Sequence, residues 1–153
     1  MPDTCTAEDR RYDASKVDQD CARFGWRGMM GHPRKTWTMS SEETGQPENF
    51  PHSDPKTSSM TGAIFYEFSS SHCKDVVANG IRGDGGLKWR QPKNGNPLYA
   101  EHLAAEEKPE TKSGVWTWVE VKQNHNHGFD TSAMLAAILI IAGLVRLKLD
   151  SEK

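Results

Sequence analysis

The chain has little of what several common functions require. Its 153 residues include three cysteines, Cys5, Cys21 and Cys73. Their number is odd, their spacings are wide, and no CxxC pair or Cys/His zinc pattern occurs. That excludes a disulfide scaffold and a zinc finger, and it fits a reduced, intracellular setting. An excess of positive charge is lacking too: 19 Lys and Arg face 21 Asp and Glu, a net charge of −2. A free-standing nucleic-acid binder is usually basic, so any such contact must come from a local patch or a neighbouring chain. No segment reads G-x-x-x-x-G-K-[ST], so no phosphate-cradling P-loop is encoded. The N-terminus, MPDTCTAEDRRYD, is polar and acidic, unlike a secretory signal. A run long enough to span a bilayer is missing as well. The apolar stretch Ala133 to Val145, extended from Thr131 to Leu147, would make a helix of roughly 25 Å at about 1.5 Å per residue. A bilayer core is ~30 Å thick. The stretch is expected to be a buried core helix, with no membrane contact; a small membrane-anchored protein is the least favoured reading.

What is present suits one ordinary domain with a core. Apolar residues make up 35% and charged residues 26%, as in a soluble protein with long polar loops. Asp13 to Phe24 has helical spacing, with Val17, Cys21 and Phe24 on one face and Gly25 to stop it. Trp26 to Met30 is a strand candidate. From Gly31 to Ser59 the chain is polar, and Pro33, Pro47, Pro51 and Pro55 oppose long regular structure. Thr61 to Ser69 reads as a strand, Ser71 to Ile81 as a helix, and Gly83 to Gln91 as a tight turn with a short strand. Pro97 to Glu107 reads as a helix with its proline in the first turn. Glu110 to Lys122 reads as a hairpin whose second strand alternates Val115, Thr117, Val119 and Val121 against Trp116, Trp118 and Glu120. The implied organisation is a helix-strand part over residues 1–35, a polar loop over 36–59, the remainder of the domain with its last helix over 60–149, and a tail over 150–153. The class is mixed α/β or α+β.

The segment richest in chemistry is Asn124 to Ile141, NHNHGFDTSAMLAAILII. A polar turn carrying His127 and Asp130 opens an apolar helix. A carboxylate at the mouth of a rigid element can hold a hard cation accurately. The plainer alternative is that Asp130 is a helix N-cap, accepting a backbone N–H at the positive end of the helix dipole.

Asn126, His127 and Asp130, followed by the small residues Ala136, Ala137 and Gly143, resemble the N-H-x-x-D motif that announces the last helix of the nuclease domain in phage terminase large subunits of the lambda-like type. Thr131 and Ser132 stand where that family commonly has Cys and an acidic residue. Three more blocks follow in family order. In Asp9 to Gly31, Tyr12, Val17, Cys21, Gly25, Trp26, Arg27 and Gly31 match, while Arg10, Arg11, Asp18 and Asp20 depart. Ala63 to Pro92 is similar to a strand, helix and Gly-rich turn leading to a W-R-x-P strand. Gly114 to His127 is similar to the strand that feeds the catalytic helix.

The resemblance implies an α/β, ribonuclease-H-like nuclease fold, here incomplete: its first strands are lacking and it ends in a buried apolar helix. It implies Asp130 and Asp9 as metal ligands, with His127 beside them in the catalytic motif, and Mg2+ or Mn2+ in a two-metal site that this chain would leave incomplete. DNA contact is expected from Arg27, Arg34 and Lys35, with Arg23 and His32 nearby, and from Lys88 and Arg90, with Arg82 and Lys93, beside Trp89. Trp26, Trp116 and Trp118 are expected to pack, and His72, His102 and His125 to lie on the surface. The expected role is metal-dependent cleavage of double-stranded DNA during phage DNA packaging, in the bacterial cytoplasm. The expected partners are the rest of the large subunit, the small subunit and the portal. The competing expectation is a catalytically inactive pseudonuclease fragment that needs a partner chain.

Overall fold

The computed structural model describes residues 6–11, 13–84, 88–90, 93–110, 116–122 and 126–145. Tyr12, the Gly85-Gly86 turn, the hairpin segment 111–115, His125 and the tail 150–153 fall outside them. The chain divides into two units: residues 1–70 with 137–153, and residues 71–136.

Unit 1 is built on a four-stranded mixed sheet. Its strands are β1 (Ala7–Asp9), β2 (Arg27–His32), β5 (Lys56–Thr57) and β6 (Ile64–Ser69), in the order β1-β2-β6-β5. β1, β2 and β6 run parallel, and β5 is antiparallel to β6. Helix α1 (Ala14–Phe24) makes the β1–β2 crossover. Asp13 caps it, accepting from the Lys16 N–H, and Gly25 ends it at φ 70, a left-handed conformation that glycine adopts without strain. Val17 and Cys21, on the face the sequence pattern indicates, are buried with Ala63, and Trp26 packs on them. Phe24, expected on that same face, is instead exposed at 47% and stacks on Trp26.

The polar segment 36–59 is more regular than its prolines suggest. β3 (Trp37–Ser40) pairs antiparallel with β4 (Pro47–Phe50). Pro47 pairs at the end of its strand, opposite Ser40, where a missing N–H costs little. Trp37 is buried in this hairpin, with the Arg34 guanidinium over its ring.

Unit 2 begins with most of helix α2 (Ser70–Arg82), followed by α3 (Pro97–Leu103), β7 (Glu106–Glu107), β8 (Val119–Glu120) and the first half of α4 (His127–Ile141). The described residues thus form a mixed α/β structure with four helices. Four expectations are corrected here. The helix from Pro97 stops at Leu103, and Glu106 and Glu107 are in a strand instead. The hairpin starts at that strand: Glu106 pairs with Glu120, Glu107 with Val119 and Glu110 with Trp116. Of the hairpin's two tryptophans, both expected to pack, Trp118 packs on Phe129 but Trp116 is 56% exposed, more so than Val119 and Val121. Residues 88–90 form no strand.

α4 is also shorter and less enclosed than an apolar run suggests. It buries one stripe, Phe129, Ser132, Ala133, Ala136 and Ala137, spaced three and four residues apart, while Leu135 is 46% exposed. Gly143, at φ 71, lies just past its end. Among the described residues no helix is long and apolar enough to cross a membrane.

Arg10 and Asp18, two departures from the family pattern, form a bidentate pair at 2.6 and 2.9 Å, and Arg10 also lies 3.9 Å over the Phe65 ring. The Arg10 hydrogen bond is the main cause that holds the Asp18 carboxyl below the usual aspartate range. Asp18 therefore contributes stability that is complete above the unfolded value near 4 and is lost as pH falls through its lowered folded value. Replacing Asp18 with Asn should cost about 2–4 kcal/mol in urea unfolding at pH 7, because it strands a half-buried guanidinium. That difference from the wild type should shrink as the pH is taken below 4. An equal gap at pH 7 and pH 2.5 would show that the pair is not what the substitution removes.

Candidate active site

Asp130 lies in the first turn of α4, but it does not cap the helix. The position before His127 belongs to Asn126, whose carbonyl accepts from the N–H groups of Phe129 and Asp130, both at 2.9 Å. The Asp130 side chain turns to another partner. Its Oδ1 is 2.7 Å from the Lys74 ammonium, which comes from the first half of α2. The same ammonium is 2.5 and 2.7 Å from the two carboxylate oxygens of Glu106, at the start of β7. The Asn126 amide donates to Glu106 Oε1 at 2.8 Å. The Lys74 and Glu106 side chains are 9% and 4% exposed, whereas that of Asp130 is 34% exposed. The cluster thus has a buried end at Glu106 and an open end at Asp130.

Aromatic groups wall the buried end. Phe129, 1% exposed, places its ring 5.3 Å from the Lys74 ammonium. The Trp118 ring meets Phe129 edge-on at 4.9 Å, and its indole N–H donates to Asp75 at 3.0 Å. Asp75 also accepts from the Lys108 ammonium, 2.6 Å from each oxygen. Lys74 and Asp75, adjacent on α2, thus hold the hairpin residues Glu106, Lys108 and Trp118. Their neighbour Cys73 is fully buried, and burial pushes its thiol up to about 12, so it remains neutral and unreactive.

A second cluster fixes the start of α4. The Gly128 N–H donates to His102 Nδ1 at 3.1 Å, and the His102 and His127 rings lie 6.3 Å apart. His102, expected on the surface, is therefore half-buried and structural. His127 is exposed. The Tyr99 hydroxyl and Ser132 Oγ are 2.5 Å apart, and the Trp89 indole N–H donates to that hydroxyl at 3.3 Å.

The other expected residues have their own settings. Asp9 ends β1, is exposed, and accepts from the Arg11 N–H at 3.0 Å; it belongs to unit 1. Arg27 donates to the carbonyls of Gly25 and Trp26. Arg34 is exposed and donates to the Thr36 carbonyl at 2.7 Å, and Lys35 beside it is exposed. Lys88 and Arg90 are exposed on either side of half-buried Trp89 in unit 2.

Among the described residues no three His, Cys, Asp or Glu side chains are grouped to hold a metal ion. Glu106 and Asp130 nevertheless supply two carboxylates within reach of one cation, since both touch a single nitrogen. Their oxygens are the hard donors that Mg2+ or Mn2+ takes, with water and phosphate oxygens completing the shell. The donor chemistry fits one such ion, in competition with Lys74. Neither Glu106 nor Lys74 was legible as a site residue.

The family model for the terminase large subunit gpA endonuclease domain matches residues 13–149. The chain belongs to this family. Comparison with curated proteins and with solved structures gave no match. Asp130, Asn126, Glu106 and Lys74 all lie inside the matched span, and Asp9 lies before it. The two departures after the motif aspartate serve the local structure of α4. Thr131 Oγ1 donates to the His127 carbonyl, and Ser132 Oγ donates to that of Gly128, each at 2.7 Å.

Gly128, between the motif's His and Asp, is set by close approach. A Cβ there would lie 2.9 Å from His102 Cβ and 3.1 Å from Tyr99 Cδ2. Gly128→Ala should destabilise the chain by about 1–3 kcal/mol through overpacking. Only His102→Gly removes that Cβ, so the losses of Gly128→Ala and His102→Gly should combine less than additively in melting temperature. Strictly additive losses would show that crowding against His102 is not the cause.

Proposed function

We propose that the chain contributes the metal-binding end of a ribonuclease-H-like DNA endonuclease acting on double-stranded phage DNA during packaging in the bacterial cytoplasm, with Asp130 as its principal ligand. The observation that carries this reading is the position of Asp130. The motif aspartate of a terminase nuclease family is half-open to solvent, sits one turn inside a helix, and shares a cation with a second carboxylate. A helix cap needs none of these features.

Mg2+ or Mn2+ bound there supplies Lewis-acid activation of water and stabilisation of the leaving oxygen of the phosphodiester. The chain's own residues do the positioning. α4 fixes the Asp130 carboxylate near the positive end of its dipole. Asn126 orients Glu106 through its amide hydrogen bond. Phe129 and Trp118 keep water from the buried end. By the family resemblance Asp9 is proposed as a metal ligand and His127 as a neighbour of the reacting phosphate. Exposed Lys88 and Arg90 suit phosphate contact, and Arg27, Arg34 and Lys35 are proposed for the same task. The rest of the large subunit, the small subunit and the portal are the partners this role entails.

One observation favours the alternative of a silent fragment that works only beside a partner chain: the carboxylates already have a cation in Lys74. Plasmid nicking with Mg2+ or Mn2+ separates the two readings. The nuclease reading expects nicking by the wild type, a loss of about a hundredfold or more in Asp130→Asn, and a melting temperature within a few degrees of the wild type, since an ion pair open to solvent is worth about 1 kcal/mol or less. Undiminished nicking by Asp130→Asn would remove Asp130 from the reaction. No nicking by the wild type would support the silent fragment.

A further inference from the structure

We infer that Lys74 is the resident counter-cation of the site: its ammonium stands between Glu106 and Asp130 where a divalent ion would bind, Glu106 is the second carboxylate ligand, and metal enters by displacing Lys74. The inference rests on the metal-binding reading of Asp130 given above, and it concerns occupancy rather than cleavage.

Three features carry it. The first is geometry. One nitrogen makes three contacts of 2.5–2.7 Å with oxygens of two carboxylates that come from different elements. A cation of either kind must use the same oxygens, and two cations cannot share so small a space without strong repulsion. The second is charge. One ammonium answers two carboxylates, so the cluster keeps a net negative charge that a divalent ion would cancel. The third is access. Lys74 and Glu106 are buried, but Asp130 is partly open, so an ion reaches the cluster from the Asp130 side. Glu106 is also held independently by Asn126, which would keep its carboxylate in place as the ammonium leaves. Burying the Glu106 carboxylate with no cation at all is unfavourable. Lys74 therefore lets the metal-free chain fold with its ligands assembled, at the cost of weaker metal binding.

Mn2+ binding, followed by loss of the free-ion electron paramagnetic resonance signal, tests this without any cleavage assay. Lys74→Met keeps the length and removes the charge. It should bind Mn2+ about tenfold more tightly than the wild type, or better, because the competing attraction between unit charges is gone. Adding Asp130→Asn to that variant should abolish the gain. A folded Lys74→Met chain with wild-type or weaker affinity overturns the inference, as does a gain that survives Asp130→Asn. Should Lys74→Met fail to fold, Lys74→Arg decides. A guanidinium grips carboxylates with more donors, so Lys74→Arg should bind Mn2+ more weakly than the wild type, and equal or tighter binding overturns the inference. If Lys74→Met binds more tightly while the wild type does not nick DNA, the displacement holds and the nuclease role falls. If the wild type nicks DNA and Lys74→Met gains no affinity, the reverse is true.

Discussion

Two carboxylates from distant parts of the chain meet on one ammonium, and that meeting organises unit 2. Lys74 of α2 reaches Glu106 of β7 and Asp130 of α4, and Asn126 closes the cluster from the cap position of α4. Removing the ammonium would leave Glu106 charged and nearly sealed from water, a penalty of about 3–5 kcal/mol for a buried pair. The neighbouring Asp75, Lys108 and Trp118 repeat the arrangement with the hairpin. A region with short strands and a seven-residue helix thus relies on charge-assisted bonds where larger domains rely on apolar area.

The departures from the family pattern are informative because they are coupled. Arg10 and Asp18 each look out of place singly. Together they form a bidentate pair that also covers Phe65. Ser132, where an acidic residue is common, bonds the Tyr99 hydroxyl and the Gly128 carbonyl.

Elements whose pattern is local were legible in the sequence: α1 with its Gly25 stop, β2, β6, α2 and the body of α4, though that helix starts at His127 and not after the polar turn expected there. Their periodicity and end signals lie within a dozen residues. The misreadings have tertiary causes. Ala104 to Glu107 has good helix formers, yet Glu106 is drawn into a strand where it pairs with Glu120 and bonds Lys74. The 36–59 segment looked too rich in proline for order, but Pro47 falls at a strand end that tolerates it. α4 appeared buried all round because Ala133 to Ile141 is apolar without a break, while only the stripe of Phe129 and small residues is covered. Within the Lys74 cluster, Asp130 and Asn126 drew notice in the sequence because they belong to one short motif. Lys74 and Glu106 were not, since 32 residues separate them and an isolated Lys or Glu carries no periodic signal.

The most direct test of the account is anomalous diffraction from crystals soaked in Mn2+. The account predicts a manganese peak between the Glu106 and Asp130 carboxylates, with the Lys74 side chain moved off both. Manganese bound elsewhere, with Lys74 still paired to Glu106 and Asp130, would contradict it.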